Sequence, residues 1–425
     1  MLQARRNDEE VIGFFFCQRH QISKHQVRYF PKDWVVPSPD CYEHQSASGI
    51  ILKQEFHQYL LNTYLDRGLD VVHIHTHAGP GKPEFSCVDD QCEAEYAKFL
   101  SSFPASSRLI SGVFDELMKH SQFRMWHKKG NSFEKVEFFP SWFALDPNIN
   151  YQAEAEPIFD RHQVFGQTFQ RQLGELTITL VGCGGIGAVF AEQLGRLGVK
   201  KWLLIDPDRL ESANLNRMPG ATLKMADQQW RKVEYVKYLL KKIYQTGSHV
   251  KAIPVSVENE AVHPEIAASD LIVVATDNHR SRQVAQELAL KYMRPLVCLG
   301  THIDMAFSGV PRMYCRITLP PLGGNWCVMC GNIISLQKAA LEKSPAEIQG
   351  LATQAGYLEG VRDPSVFWLN SICASTAVGV IQGMVSGFLN LEKGLDWIYQ
   401  FPESQWHKTN PDYLATPDCY FCRFG

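Results

Sequence analysis

Three groups of residues in this chain have the types and spacing to do chemistry. The first begins at Gly182, Gly184, Gly185 and Gly187, which follow directly on the apolar, β-branched run Leu176–Val181. Glycines between a strand and a helix let the backbone turn tightly and bring its N–H groups up to a phosphate at the helix N-terminus. A second apolar run, Trp202–Ile205, ends in Asp206, and the polar residues Asn214, Asn216, Arg217, Lys232 and Asp277 come after it. The glycines and Asp206 alone fit any dinucleotide-binding βαβ unit. The second group is Val71-Val-His-Ile-His-Thr-His77, followed by Ser86-Cys-Val-Asp89. Strand alternation puts His73, His75 and His77 on one face. Two histidines and one aspartate make a three-ligand zinc site with an open fourth position, where a bound water has its pKa lowered to about 7. A carboxylate nearby can take that proton and pass it to a leaving amine, and Glu10 on a neighbouring strand suits the role. The third group is the pair Cys327-Val-Met-Cys330 and Cys419-Tyr-Phe-Cys422. Two such knuckles signal one tetrahedral zinc with no open position, a staple for the C-terminal region.

The residues from Gly182 to Asp277 resemble the ThiF/MoeB/ubiquitin-activating superfamily, whose members adenylylate the C-terminal carboxylate of a ubiquitin-fold protein. The resemblance covers residues 159–425. It implies ATP and Mg²⁺ as cofactors, with Asp206 accepting from the ribose hydroxyls and Asn214 and Arg217 facing the phosphates. Lys232 maps onto the family's phosphate-contacting lysine, with Lys224 as the alternative, and Asp277 in Asp277-Asn-His-Arg280 onto the Mg²⁺ ligand. Arg161, in the stretch Phe159–Gly166, matches an arginine that reaches ATP phosphate, often in a partner subunit, with Arg171 as competitor; a homodimer is implied. The region between Cys330 and Cys373 corresponds to a crossover loop over the incoming tail. Ubiquitin-activating enzymes carry a thioester cysteine near here, but none lies between 331 and 372. Cys373, in an apolar helical stretch, reads first as core and is the only nearby thioester candidate. The chain thus either stops at the acyl-adenylate or hands over to a cysteine on a conjugating-enzyme-like protein.

The second group resembles the JAMM (JAB/MPN) metallopeptidases. Glu10-Val-Ile-Gly13, His75-Thr-His77 and Ser86-x-x-Asp89 match the three parts of that motif. The resemblance implies zinc on His75, His77 and Asp89, Glu10 as general acid/base, and Ser86 helping to hold the oxyanion. Ala78 replaces the usual proline, the spacer to Ser86 is one residue longer than usual, and His73 offers a competing His-x-His register. Glu9 and Glu43 are alternative acids, and Asp90 an alternative ligand.

These residues need elements to hold them. The expected fold class is α/β. A JAMM-type α/β domain spans residues 1–148, a polar linker 149–158, and an adenylylation domain 159–425, with a Rossmann-like, mostly parallel sheet and a zinc-stapled C-terminal region. Apolar spacing predicts helices over Ile50–Leu65, Ala188–Leu197 and Val233–Tyr244. The chain has 425 residues, is 45% apolar and carries a net charge of −3, so no strong field draws it to nucleic acid or anionic membrane. No apolar run approaches the roughly 18 residues of a membrane span, and the N-terminus lacks a signal-peptide core, so a cytoplasmic setting is expected. There, twelve cysteines suit metal ligands and buried thiols better than disulfides. The expected function is bifunctional: Mg·ATP-dependent adenylylation of a ubiquitin-like protein with a glycine-type C-terminus, and its processing or deconjugation at the zinc site. A sulfur-carrier-activating enzyme without a thioester step, or a non-catalytic ubiquitin-like-protein binder, are the rivals.

Overall fold

The computed structural model describes residues 9–136 and 157–423, leaving out 24–25, 48, 66–68, 78–81, 103–107, 116–119, 128–129, 245–246, 306–310, 323–325, 355–363, 390, 392 and 417–418. The chain divides into two compact units at Pro140/Ser141. Most of the linker expected at 149–158, Ala78, and part of the crossover region fall outside the described residues.

The first unit runs β1 (Ile12–Ser23), β2 (Gln26–Val35), β3 (Tyr42–Ser46), β4 (Gly49–Leu52), α1 (Gln54–Thr63), β5 (Asp70–Thr76), α2 (Cys87–Ser101), β6 (Leu109–Phe114), β7 (Ser121–Trp126) and β8 (Phe133–Val136). Six strands form one sheet in the order β2-β1-β5-β6-β7-β8, and β3 pairs with β4. The helix expected from Ile50 starts only at Gln54, because Gly49–Leu52 pairs as a strand with Tyr42–Ser46. β5 is central and nearly all buried, as its unbroken Val-Val-His-Ile run requires. Val71 packs with Phe14, Phe16 and Leu60 on one face, while Val72 packs with Ile110 and Phe123 on the other. His73 and His75 share the Val71 face by strand alternation.

The second unit runs α3 (Gln167–Glu175), β9 (Thr177–Val181), α4 (Gly185–Leu197), β10 (Lys201–Ile205), α5 (Leu223–Asp227), α6 (Lys232–Ile243), β11 (His249–Ile253), α7 (His263–Ala267), β12 (Leu271–Val274), α8 (His279–Lys291), β13 (Leu296–Met305), β14 (Pro311–Leu319), α9 (Leu336–Glu342), α10 (Ala346–Gln354), α11 (Phe367–Ser386), β15 (Leu395–Phe401), β16 (Gln405–Lys408) and α12 (Tyr420–Arg423). Its eight-stranded sheet has the order β11-β10-β9-β12-β13-β14-β15-β16. Strands β11 to β13 are parallel, and β14 to β16 continue the sheet antiparallel. The sheet is therefore mostly parallel, as expected, with an antiparallel extension of three strands. The parallel half is covered on both faces, so β9 and β12 are buried apolar runs. The order around β10, β9 and β12 reverses direction from β9, and the strand ends there open a crevice. By length and composition alone α11 could cross a membrane, contrary to the sequence reading. Here Leu369, Cys373, Ala377 and Ile381 bury it in the core of this unit.

Candidate active sites

In the second unit a cavity of about 1000 Å³ opens at the carboxyl ends of the parallel strands. Gly182, Gly184, Gly185, Asp206, Arg217, Lys232 and Asp277 all line it. Two glycines explain the turn. A Cβ on Gly187 would stand 2.0 Å from the Gly182 carbonyl oxygen, so only glycine lets α4 begin this close to β9. A Cβ on Gly184 would meet nothing within 4 Å. Its missing side chain leaves room in the cavity at the N-cap of α4, where backbone N–H groups and the helix dipole favour an anion.

Asp206 is 6% exposed and holds the turn. Its Oδ2 accepts the Cys183 N–H at 2.6 Å and its Oδ1 the Asp208 N–H at 2.8 Å. Burial raises its pKa, opposed by the charge of Lys232. Lys232 Nζ pairs with Asp208 Oδ2 at 2.7 Å. Arg217 Nη1 donates to the Ala213 carbonyl at 2.7 Å and to Asn216 Oδ1 at 3.1 Å. Asp277 is exposed to the cavity and makes no hydrogen bond or ion pair among the described residues. That uncommitted carboxylate beside a phosphate cradle is the donor Mg²⁺ prefers.

Three expected residues are absent from the cavity wall: Gly187, which only shapes the turn, Asn214 and Arg161. Asn214 is buried and caps a 3-10 turn, its Oδ1 accepting the Glu211 N–H at 3.0 Å. Arg161 stands exposed on the 3-10 helix Pro157–Phe165, outside this cavity. The structure places the motif's Arg280 here and adds Arg282 and Asn370, which the sequence did not flag. Arg280 donates its backbone N–H to Glu342 at 2.7 Å and its guanidinium to Glu258 at 3.2 Å. Arg282 donates to the carbonyls of Thr276 and Leu299. Asn370, at the start of α11, lies where a Gly185 Cβ would fall 2.6 Å from its Nδ2. Arg282 and Asn370 have no motif of their own; only the topology brings them to the strand ends.

Residues 159–392 match the ThiF family. The chain belongs to the ThiF family. It is similar to the Bacillus subtilis sulfur carrier protein ThiS adenylyltransferase, 27% identical over 185 residues, which cover 41% of this chain and 54% of that protein. It is also similar to the rat ubiquitin-like modifier-activating enzyme 5, 26% identical over 203 residues, covering 43% of this chain and 47% of that protein. The match thus spans about half the length of these two relatives. Among solved structures, Escherichia coli MccB with MccA-N7isoASN shares the fold at a TM-score of 0.51 and 17% identity, over 64% of this chain and 75% of that one.

Within the ThiF-family unit the thioester expectation at Cys373 fails on geometry. Cys373 is fully buried, and its thiol donates to the carbonyls of Gly300 and Arg316 at 3.7 Å each. A hydrogen bond with Cys315, burial and the neighbouring sulfurs push its pKa well above the ordinary thiol value. A thioester needs an accessible thiolate. Cys183, Cys298 and Cys315 are buried as well. The remaining four, Cys327, Cys330, Cys419 and Cys422, converge. Sγ separations are 3.8 Å for Cys327–Cys330, 4.0 Å for Cys327–Cys419 and 3.9 Å for Cys330–Cys422. Four thiolates at 2.3 Å from one ion would sit about 3.8 Å apart, so the set fits a tetrahedral zinc. The Cys327 hydrogen bond pulls the Cys330 thiol down to about 5.

In the first unit His75 Nε2, His77 Nε2 and the Asp89 carboxylate also converge. Their separations are 3.1 Å between the histidines, 3.3 Å from His75 to Asp89 and 3.4 Å from His77 to Asp89. Donors about 2.0–2.1 Å from a tetrahedral zinc lie about 3.3 Å apart, so the triangle is the right size. A capping box aims Asp89: its Oδ2 accepts the Ser86 N–H at 2.6 Å while Ser86 Oγ accepts the Asp89 N–H at 3.1 Å. The Ser86 hydroxyl proton stays available to an outside acceptor. Burial opposes the charge on Asp89, but hydrogen bonds from His75 and His77 outweigh it and lower its pKa. Glu10 Oε1 is 4.0 Å from His77 Nε2, and burial raises its pKa against the pull of His77. His73 stands in a second buried group with His75 and Glu93. His73 Nε2 is 3.1 Å from Glu93, whose other oxygen accepts from Arg124 and Trp126 at 2.7 Å each. Asp90 pairs with Arg124.

Proposed function

We propose that the second unit adenylylates the C-terminal carboxylate of a ubiquitin-like or sulfur-carrier protein with Mg·ATP. The observation that carries this is the shared cavity, where the glycine turn, Arg217, Lys232 and Asp277 meet. Asp206 would receive the ribose hydroxyls and Asp277 would hold Mg²⁺, which neutralises phosphate charge when bound. A tail carboxylate oxygen forms a bond to the α-phosphorus, and the bond to the bridging oxygen breaks, so pyrophosphate leaves with its electron pair. Catalysis of such a step is positioning plus charge neutralisation. Arg217 and Lys232 supply two cations, each exchanging its present partner for phosphate oxygens. In a homodimer the exposed Arg161 of one copy would serve the cavity of the other. Every cysteine of this unit outside the four-sulfur cluster is buried. That supports a product that stays an acyl-adenylate or passes to a thiol on another molecule. ATP–pyrophosphate exchange with a Gly-Gly-tailed ubiquitin-fold protein tests the reading; absence of exchange refutes it.

The zinc-sized triangle of His75, His77 and Asp89 favours a second activity in the first unit. We propose a JAMM-type zinc peptidase that trims or deconjugates the same protein. Zinc held by those three residues would acidify a bound water and polarise the scissile carbonyl. Glu10, with its raised pKa, accepts a proton and returns it to the leaving amine. Ser86 donates its hydroxyl proton to the carbonyl oxygen. Cleavage of a C-terminally extended ubiquitin-like protein tests this; activity that survives His75→Ala refutes it. We infer a reducing, cytoplasmic setting, which suits eight unbridged thiols beside the four-sulfur cluster.

A further inference from the structure

Two elements supply the three residues of the zinc-sized triangle, and each is held in its own way. His75 lies on β5 and His77 directly after it, where its N–H donates to the Phe114 carbonyl at 2.9 Å, so the strand ladder fixes their spacing. Asp89 comes alone, from the first turn of α2. The triangle closes only if that end of α2 sits correctly against β5. The far end of the helix is anchored by apolar packing, with Ala97 and Leu100 in one core cluster with Val71 of β5. The near end has no such anchor. From Cys87 to Cys92 every side chain is exposed or half-buried, Val88 being 65% exposed. The first buried side chain of α2 is a carboxylate, Glu93, at 2% exposure.

A buried carboxylate has to be paired, and the pairing of Glu93 is what ties this end of α2 down. Its Oε1 lies 3.1 Å from Nε2 of His73, on the strand and face that carry His75. Its Oε2 accepts from Arg124 and Trp126 of β7 at 2.7 Å each. Arg124 does more than neutralise Glu93. The same guanidinium pairs with Asp90 and lies over the Phe85 ring, 3.8 Å from its centroid. Phe85 stands directly before the capping residue Ser86, and Asp90 and Glu93 follow Asp89. One side chain from β7 thus grips the helix start on both sides of the aspartate. The Phe85 ring in turn stands edge-on to His75, with ring centroids 6.2 Å apart. Only a planar fork with an apolar face can serve two carboxylates and a ring at once.

We propose that Arg124 is a positioning residue for the metal of the first unit. Through Phe85, Asp90 and Glu93 it fixes the start of α2 against β5, and so sets how tightly His75, His77 and Asp89 hold zinc. The inference rests on the zinc reading of that triangle. It goes beyond it by placing a determinant of metal affinity on β7, a strand that supplies no ligand.

The test is zinc affinity, measured on the full chain by competition with a chromogenic chelator at a temperature well below the melt. Arg124→Lys keeps the charge but cannot fork and stack together. It should weaken zinc binding in the first unit by about tenfold to a hundredfold, the usual cost of losing the support behind a metal ligand. The zinc of the four cysteines, in the same molecule, should be unchanged. A merely structural role would lower the melting temperature without moving this split. Phe85→Leu alters no charge and keeps an apolar side chain; it should weaken the same zinc by about threefold to tenfold, within the worth of one cation–π contact. It decides the matter if a melt of the metal-free protein shows that Arg124→Lys does not fold. Affinity within twofold of the unaltered chain, in whichever variant decides, overturns the inference, and so do equal losses at both zinc sites. If His75→Ala removes no zinc, the zinc reading fails and the inference with it. If His75→Ala removes one zinc that Arg124→Lys holds as tightly as before, the inference alone fails.

Discussion

Lysine 232 separates nucleotide chemistry from folding, and Lys232→Ala is the sharpest test of the cavity. Its Nζ lies 2.7 Å from Asp208 Oδ2, with the lysine side chain 15% and the aspartate 61% exposed. With the aspartate open to solvent, the pair is screened and contributes about 0–1 kcal/mol to stability, a loss of roughly 2–4 °C in Tm. A positioned cation on transition-state charge is worth about 2.7–4 kcal/mol, or about 100- to 1000-fold in rate. Lys232 also opposes the burial that raises the Asp206 pKa. Without it that pKa rises further, so at a given acidic pH less of Asp206 is ionised. The acid limb of any residual exchange should therefore move to higher pH. The assay is ATP–pyrophosphate exchange across pH, paired with a thermal melt. Exchange within threefold of the unaltered protein refutes the assignment. A fall in rate matched by a Tm loss well beyond 5 °C refutes the reasoning that separates the two.

Gly184→Ala should fold normally, since its Cβ meets nothing, yet weaken ATP binding about tenfold or more by filling the cradle; calorimetric titration reads it. Gly187→Ala, with its Cβ against the Gly182 carbonyl, should instead lower Tm sharply, as overpacking against backbone does. Metal analysis should find two zinc ions per chain, falling to one in His75→Ala and to one in Cys327→Ser, with only the latter loosening the C-terminal region to proteolysis. Mixing inactive Arg161→Ala and Lys232→Ala proteins should restore about a quarter of full exchange, as expected of a symmetric dimer sharing sites; no recovery refutes the shared site. Burial pushes the Glu93 carboxyl up, but His73 and Arg124 outweigh it and hold it at about 2, against an ordinary value of 4.5. Its contribution, about 3 kcal/mol, is thus present above about pH 4.5 and lost as pH falls toward 2. Trp126, which donates to Glu93, reports this by fluorescence, and Glu93→Gln should flatten that limb.

Residues close in sequence were the ones legible from it. The glycine turn, the Ser86–Asp89 box and the two cysteine knuckles are local geometry, written in spacing. His75 and His77 follow from strand period, and Asp206 and Asp277 from their place at strand ends. Arg282, Glu342 and Asn370 carry no local signal, because contacts across 60 or more residues bring Glu342 to Arg280 and Asn370 to Thr301. The family resemblance alone points Asn214 at the phosphates, whereas its side-chain oxygen caps a turn. His73 was ambiguous until Glu93 and Arg124, one on a helix and one on a far strand, claimed it. The antiparallel extension is hard to read because its alternating strand β14, Pro311–Leu319, shows strand period but not which neighbours it pairs with or in which direction.

Asp206 bonds to the turn before α4 and to the loop after β10 at once. One carboxylate thus ties both segments together, so the chain itself sets the shape of the cradle and a small molecule arriving there has little disorder to remove. Fragments that merely mimic a ribose and one phosphate should consequently bind well for their size, which makes this corner the place to start an inhibitor.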